Sequence, residues 1–221
     1  MKNNLPPGQY EINEFPRFGL LKYAKRYRSK FDPLDILISG NVQNTIRIAT
    51  EDLNALPRIQ QTSDFHCVTT WTKCDQQWSG FRFIDFYETI VKQKALPSKE
   101  SISVHFKSQD GFRSCLPLSD LLADDVLLAD SLDGVPLTAK HGAPLRLITP
   151  AHYGYKSIKH LKAIEFWPDD SGFQPPAFRF MNHPRGRVEF EERGRWIPGW
   201  CLRYLYRLLV KPTITIFKRT M

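Results

Sequence analysis

Two stretches of this 221-residue chain carry residue types that could do chemistry. Phe65-His66-Cys67-Val68-Thr69-Thr70-Trp71-Thr72 sets one cysteine between a polar run and an aromatic-rich segment. His141-Gly142-Ala143-Pro144-Leu145-Arg146 is a glycine/proline turn entering a strand, with a histidine before it and an arginine after it. A thiolate is a soft metal ligand, and the planar fork of arginine suits phosphate. Together they imply a bound metal–phosphate group, and therefore an enzyme.

Each stretch also has a plainer reading. A cysteine in a strand is commonly a small buried hydrophobe, and an arginine at a turn commonly meets solvent. His66 adjoins Cys67, but neighbours on a strand point to opposite faces, so it makes a poor base for a cysteine nucleophile. Cys74 is available as a resolving thiol, although its spacing does not demand that role. Further on, Tyr153-Gly154-Tyr155-Lys156-Ser157-Ile158-Lys159 combines a glycine with two lysines and a serine, a composition that can cradle phosphate. It lacks the spacing of a P-loop, so nucleotide hydrolysis is not expected. Asn182-His183-Pro184-Arg185-Gly186-Arg187, followed by Glu191-Glu192-Arg193, can hold an oxyanion or lock into Arg–Glu ion pairs.

The elements that must position these residues read as α+β: a mixed sheet with short helices in one domain. Asp35–Gly40 and Thr45–Ile48 form a hairpin signal. A helix is expected to start at Thr50 and stop near Pro57. Residues 61–70 read as a strand, Trp78–Phe83 as a turn, and Phe83–Val91 as a helix. Further strands are expected at Ile102–Phe106, Val126–Ala129, Leu145–Thr149 and Ile158–Phe166, the last with its lysines exposed. Short helices are expected at Leu20–Tyr27 and Pro117–Leu122, and an amphipathic docking or surface-lying segment at Tyr204–Val210.

Composition narrows the classes. With 42% hydrophobic and 24% charged residues the chain can bury a core. No run approaches the roughly 20 apolar residues of a membrane span. The start of the chain has no apolar targeting segment, so a cytoplasmic location is expected. Cys67, Cys74, Cys115 and Cys201 include no C-x-x-C pair, which argues against a disulfide framework and a zinc finger. The net charge of +8 is uneven: +5 over residues 1–30, −4 over 31–178 and +7 over 179–221. Basic ends suit an anionic ligand or nucleic acid. No nucleic-acid reading motif is present, so that partner ranks last.

In order and type these motifs resemble the molybdopterin-binding domain of the sulfite oxidase superfamily, from about Asp35 to Phe166. The Phe65–Trp71 stretch is similar to the family's segment that presents the molybdenum-ligating cysteine. His141–Leu147 is similar to its H/N-G-x-P-L-R element, and Gly154–Lys159 to the segment gripping the pterin phosphate. His183-Pro184-Arg185 has a counterpart in the bacterial methionine-sulfoxide-reductase branch. The resemblance implies a molybdopterin cofactor with Cys67 as metal ligand and catalytic centre. His141, Arg146, Ser157, Ile158 and Lys159 would contact the cofactor, with Ser108 and the Arg17-Phe18-Gly19 segment as looser matches. It implies a domain over 31–178, with 1–30 an irregular basic segment and 179–221 a basic extension packed on it. The short cytoplasmic members of the superfamily are the nearest match.

The expected activity is oxygen-atom transfer to or from a small sulfur- or nitrogen-oxide substrate, with an unidentified electron-transfer partner. Arg185 is the expected catalytic arginine, with Arg187 and Arg179 beside it at the mouth of the site. The alternative is a module that binds molybdopterin or an acidic partner without turnover.

Overall fold

The computed structural model describes residues 5–26 and 32–219. A two-residue strand, β1 (Tyr10–Glu11), precedes a 3-10 helix at Leu21–Arg26. That helix answers the one expected at Leu20–Tyr27, whose last residue lies outside the described set. The hairpin β2 (Ile36–Gly40) and β3 (Ile46–Ile48) follows, and then a single helical turn, α1 (Thr50–Leu53). The long hairpin β4 (Arg58–His66) and β5 (Trp71–Arg82) leads into α2 (Phe83–Phe86), which continues as a π-helix over Tyr87–Ala95. Next come β6 (Ser103–Ser108), β7 (Arg113–Pro117), α3 (Leu118–Leu121), β8 (Leu127–Leu132) and β9 (Val135–Pro136). The chain then adds β10 (Arg146–Ile148), β11 (Leu161–Trp167), a 3-10 turn at Arg179–Met181 and the helix α4 (Gly199–Arg219).

The strands form two sheets. One runs β1-β5-β8-β10, with β4 also paired to β5 and β9 to β8. The other runs β3-β2-β11-β6-β7 and is antiparallel except where β11 pairs β2. The main core packs Ile36, Ile38, Phe83, Phe86, Phe106, Ile164 and Phe166 between the second sheet and the α2 segment. Each such large side chain, fully buried, contributes about 1.5–3 kcal/mol. A separate cluster joins Trp71 and Cys67 to Val210 of α4, so the basic C-terminal segment packs on the cysteine loop.

Four sequence expectations change. Trp78–Phe83 is not a turn: Trp78 to Arg82 pair with β8 in the interior of the sheet. The Ser79-Gly80 pair marks a β-bulge, where a side chain on Gly80 would sit 2.1 Å from the Leu128 carbonyl oxygen. The strand expected over 61–70 ends at His66, and residues 67–70 form the hairpin turn. The strand expected from Ile158 starts at Leu161, because His160 takes a left-handed φ of 54°. The amphipathic segment at Tyr204–Val210 is part of a 21-residue helix. Its buried positions Leu202, Tyr206, Val210, Thr213 and Phe217 keep helical spacing through Pro212, whose ring lies on the exposed side.

Candidate active site

Cys67 sits at the tip of the β4–β5 hairpin. Its N–H donates to the Trp71 carbonyl at 2.8 Å, and the Thr70 N–H donates back to the Cys67 carbonyl at 3.1 Å. The turn closes through Thr70 at a φ of 88°, an unusual angle for a β-branched residue. Strain of this kind persists only where the surroundings hold the backbone. Here the Tyr10 N–H donates to the Thr70 carbonyl at 2.9 Å, the Gln9 amide to the Cys67 carbonyl at 3.2 Å, and Arg193 to the Val68 carbonyl at 2.7 Å. Cys67 Sγ lies 3.1 Å from Thr69 Oγ1. Burial pushes the thiol up to about 11, against the opposing pull of the Thr69 hydrogen bonds and Arg193. His66 hydrogen-bonds Thr72 Oγ1 through Nδ1 at 2.8 Å and faces a separate cleft beside Pro6, Pro7 and Arg187.

Several cations line the same cavity as the thiol. Arg146 is only 2% exposed; it donates to the carbonyls of His141 at 2.7 Å and Ser157 at 3.2 Å. Its Nε has no partner, and among the described residues no carboxylate pairs with it. Its guanidinium lies between the rings of Phe65, 5.3 Å away, and Trp78, 5.0 Å away. Burial pushes it down to about 9. Lys159 is pushed to about 7 by burial and then by the charges of Arg146 and Arg17. His141 is pushed to about 3 by burial and then by Arg146, which leaves it neutral. His160 donates through Nδ1 to the Ala143 carbonyl, 2.7 Å away, and burial lowers its value to about 4.

One cavity of about 300 Å³ brings these groups together. Cys67, Ser108, His141, Arg146, Ser157, Ile158 and Lys159 all line it, as do Arg17, Phe18 and Gly19. The Ser157 hydroxyl is already engaged with the N–H and hydroxyl of Thr149, both at 3.1 Å, so Ser157 offers the cavity mainly its backbone. Sequence reasoning missed Lys140, His160 and Phe15, which also line the cavity, and the cover supplied by Tyr206, Leu209, Thr213 and Phe217 of α4. The adjacent pairs Lys140-His141 and Lys159-His160 were the available signal for the first two.

The arginines expected at the mouth lie elsewhere. Arg185 binds Asp120 through two contacts, at 2.8 and 2.5 Å, and does not line the cavity. The same carboxylate, only 5% exposed, also meets His152 at 3.1 Å. Arg187 pairs with Glu192 at 2.6 Å, which also faces His183 at 3.2 Å. Arg179 starts the 3-10 turn at Arg179–Met181 and is likewise absent from the cavity lining. Arg185 and Arg187 therefore sit in ion pairs, the second of the two readings that this loop's composition allowed. Lys156, expected in the phosphate cradle, is fully buried and donates to the carbonyls of Cys115 at 2.8 Å and Pro184 at 2.6 Å.

Comparison with known proteins agrees with the geometry. Residues 27–173 match the family described as the oxidoreductase molybdopterin binding domain. The chain is 33% identical over 194 residues to the uncharacterized oxidoreductase YuiH of Bacillus subtilis, covering 87% of this chain and 92% of that protein. It is 26% identical over 177 residues to the protein-methionine-sulfoxide reductase catalytic subunit MsrP of Campylobacter jejuni, spanning 67% of this chain and 58% of that one. In fold it is similar to the sulfane dehydrogenase SoxCD from Paracoccus pantotrophus, with a TM-score of 0.55 at 19% identity over 69% of this chain and 43% of that one. Cys67 and the cations Arg146 and Lys159 line one cavity of this α+β fold, and the chain belongs to the oxidoreductase molybdopterin-binding domain family of the sulfite oxidase superfamily.

Proposed function

We propose that this protein holds the molybdenum cofactor in the α4-covered cavity and acts on a small sulfur- or nitrogen-oxide substrate, with Cys67 as the thiolate ligand to the metal. The observation that carries this reading is Arg146: a buried guanidinium with an unbonded Nε and no carboxylate partner among the described residues. A buried cation in that state needs an anion from outside the chain. The residues present fit a pterin phosphate. Arg146 and Lys159 supply charge, neutral His141 can donate or accept a hydrogen bond, and Phe65 and Trp78 fix the guanidinium plane. When bound, the cofactor supplies the two-electron oxygen-atom transfer chemistry.

The chain's own residues have separate tasks. Cys67 must lose its proton to bind a metal, and its high thiol value makes loading proton-releasing. Thr69, beside the sulfur, orients it and tunes its electron donation. Tyr206, Leu209, Thr213 and Phe217 of α4 shield the cavity from water. A separate redox protein or carrier would supply or take the electrons. We also read the location as cytoplasmic, where thiols such as Cys74 and Cys115 stay reduced. Molybdenum and pterin analysis of protein from a molybdenum-replete host tests the reading. Near-stoichiometric amounts of both, with turnover of sulfite, a sulfoxide or an N-oxide, are expected; protein carrying neither overturns it.

A further inference from the structure

Helix α4 carries no acidic residue along its 21 positions. Its inner face is occupied by the packing against the cavity and the cysteine loop. At about 100° per residue, the outer positions divide into two stripes. Arg203, Arg207, Lys211 and Lys218 follow one flank, and Tyr204, Leu205, Leu208 and Ile216 the other. Leu208 is 76% exposed, Tyr204 61% and Leu205 54%; Trp200 in the first turn of the helix and Trp196 just before it are 58% and 69% exposed. A scattered exposed leucine is ordinary, but a continuous apolar stripe beside two exposed tryptophans marks an interaction surface.

We propose that the outer face of α4 docks on an anionic lipid surface, with the helix axis in the plane of the interface. Charge complementarity selects this occupant, since the segment 179–221 carries +7 and the helix itself no acid. Tryptophan and tyrosine favour the headgroup level, and leucines beside them reach the acyl boundary. Arg203 and Lys218 already pair with Glu191 and Glu14, so among the described residues Arg207 and Lys211 carry the unneutralised charge of this flank, and a second copy of the chain would bring the same two cations. Among the described residues no helix is long and apolar enough to cross a membrane, so the contact lies on the surface. Leu209 both lines the cavity and is 46% exposed, so the docking face borders the cavity wall.

Sedimentation of the full chain with vesicles tests this independently of cofactor content. Partition is expected onto phosphatidylcholine vesicles containing phosphatidylglycerol, and not onto phosphatidylcholine alone. Lys211→Gln should weaken it roughly fivefold, and Leu208→Gln roughly tenfold. Both positions are exposed, and unchanged thermal unfolding would confirm that the variants fold. The proposal is overturned if the native chain ignores anionic vesicles, or if the Leu205→Gln/Leu208→Gln variant binds them as well as the native chain does. A dimer detected by light scattering and abolished by the same pair would also overturn it, in favour of a second copy.

Discussion

The guanidinium of Arg193 donates to the carbonyl oxygen of Val68 at 2.7 Å, across 125 positions of sequence. Arg193 is completely buried; it also donates to the Pro7 carbonyl at 3.0 Å, pairs with Glu191 at 3.3 Å and lies 4.9 Å from the Tyr153 ring centre. One side chain thus ties the N-terminal segment, the cysteine turn and the C-terminal extension together. Arg193→Lys keeps the charge but cannot span both carbonyls. It should lower unfolding free energy by about 3 kcal/mol, the scale of two charge-assisted hydrogen bonds lost in a buried site. Denaturant unfolding of the variant checks this, and a change below 1 kcal/mol would show that the tie is incidental.

The Arg185–Asp120 pair leads to a different expectation. Asp120 is buried, and its carboxyl is held below the usual range by Arg185 and His152 acting against the cost of burial. Removing Arg185 leaves that carboxylate short of its bidentate partner. Arg185→Ala should therefore cost about 1–2 kcal/mol of stability, less than a fully buried pair because Arg185 is 41% exposed, while kcat at saturating substrate changes less than about twofold. Steady-state kinetics on molybdenum-loaded protein, beside thermal unfolding, separates the two effects. A large fall in kcat with stability intact would restore Arg185 to the chemistry.

How far the sequence speaks depends on which signals are local. Cys67, His141, Arg146 and Lys159 could be grouped because turn chemistry and charge mark each short segment, and all four line one cavity. The β2–β3 hairpin and the helix beginning at Phe83 follow from alternation and helical spacing. What was illegible depended on long-range pairing. Gly80 reads as a turn residue until β8 is seen against it. Arg185 reads as a substrate group until Asp120 arrives from 65 positions away, whereas the Arg187–Glu192 pair, five residues apart, was among the ion pairs the local sequence offered. The covering role of α4 had no local mark, because the same spacing serves any buried helix face.

Cys67→Ser tests the thiol with little disturbance of the fold. The side chains are close in size, and the turn is held by backbone contacts to Trp71, Thr70 and Arg193 that the change leaves in place. Unfolding free energy should move by less than about 1.5 kcal/mol. A hydroxyl is a much poorer ligand for a soft metal, so molybdenum content or turnover should fall by about 100-fold or more. Metal analysis and activity on the same preparation decide it; unchanged turnover with full metal content would remove Cys67 from the site.

Lys159 makes anion binding depend on pH. Its ammonium meets the Lys140 carbonyl at 3.4 Å, and burial with neighbouring cations lowers its value to about 7. An anion bound beside it favours the charged form and raises that value. Below about pH 7 the ammonium is present before binding, and affinity is full. Above it the free protein must first take up a proton, so affinity falls by up to about tenfold per pH unit until the bound-state value is reached. Sulfate is a suitable probe, because its own charge is constant over this range. Calorimetric titration of cofactor-free protein should show sulfate binding about tenfold weaker at about pH 8 than at pH 6. Lys159→Met should bind more weakly at pH 6 and lose most of the pH dependence, because Arg146 beside it stays charged until about pH 9. Equal affinity for sulfate at both pH values in the unmodified protein would show that Lys159 does not face the bound anion.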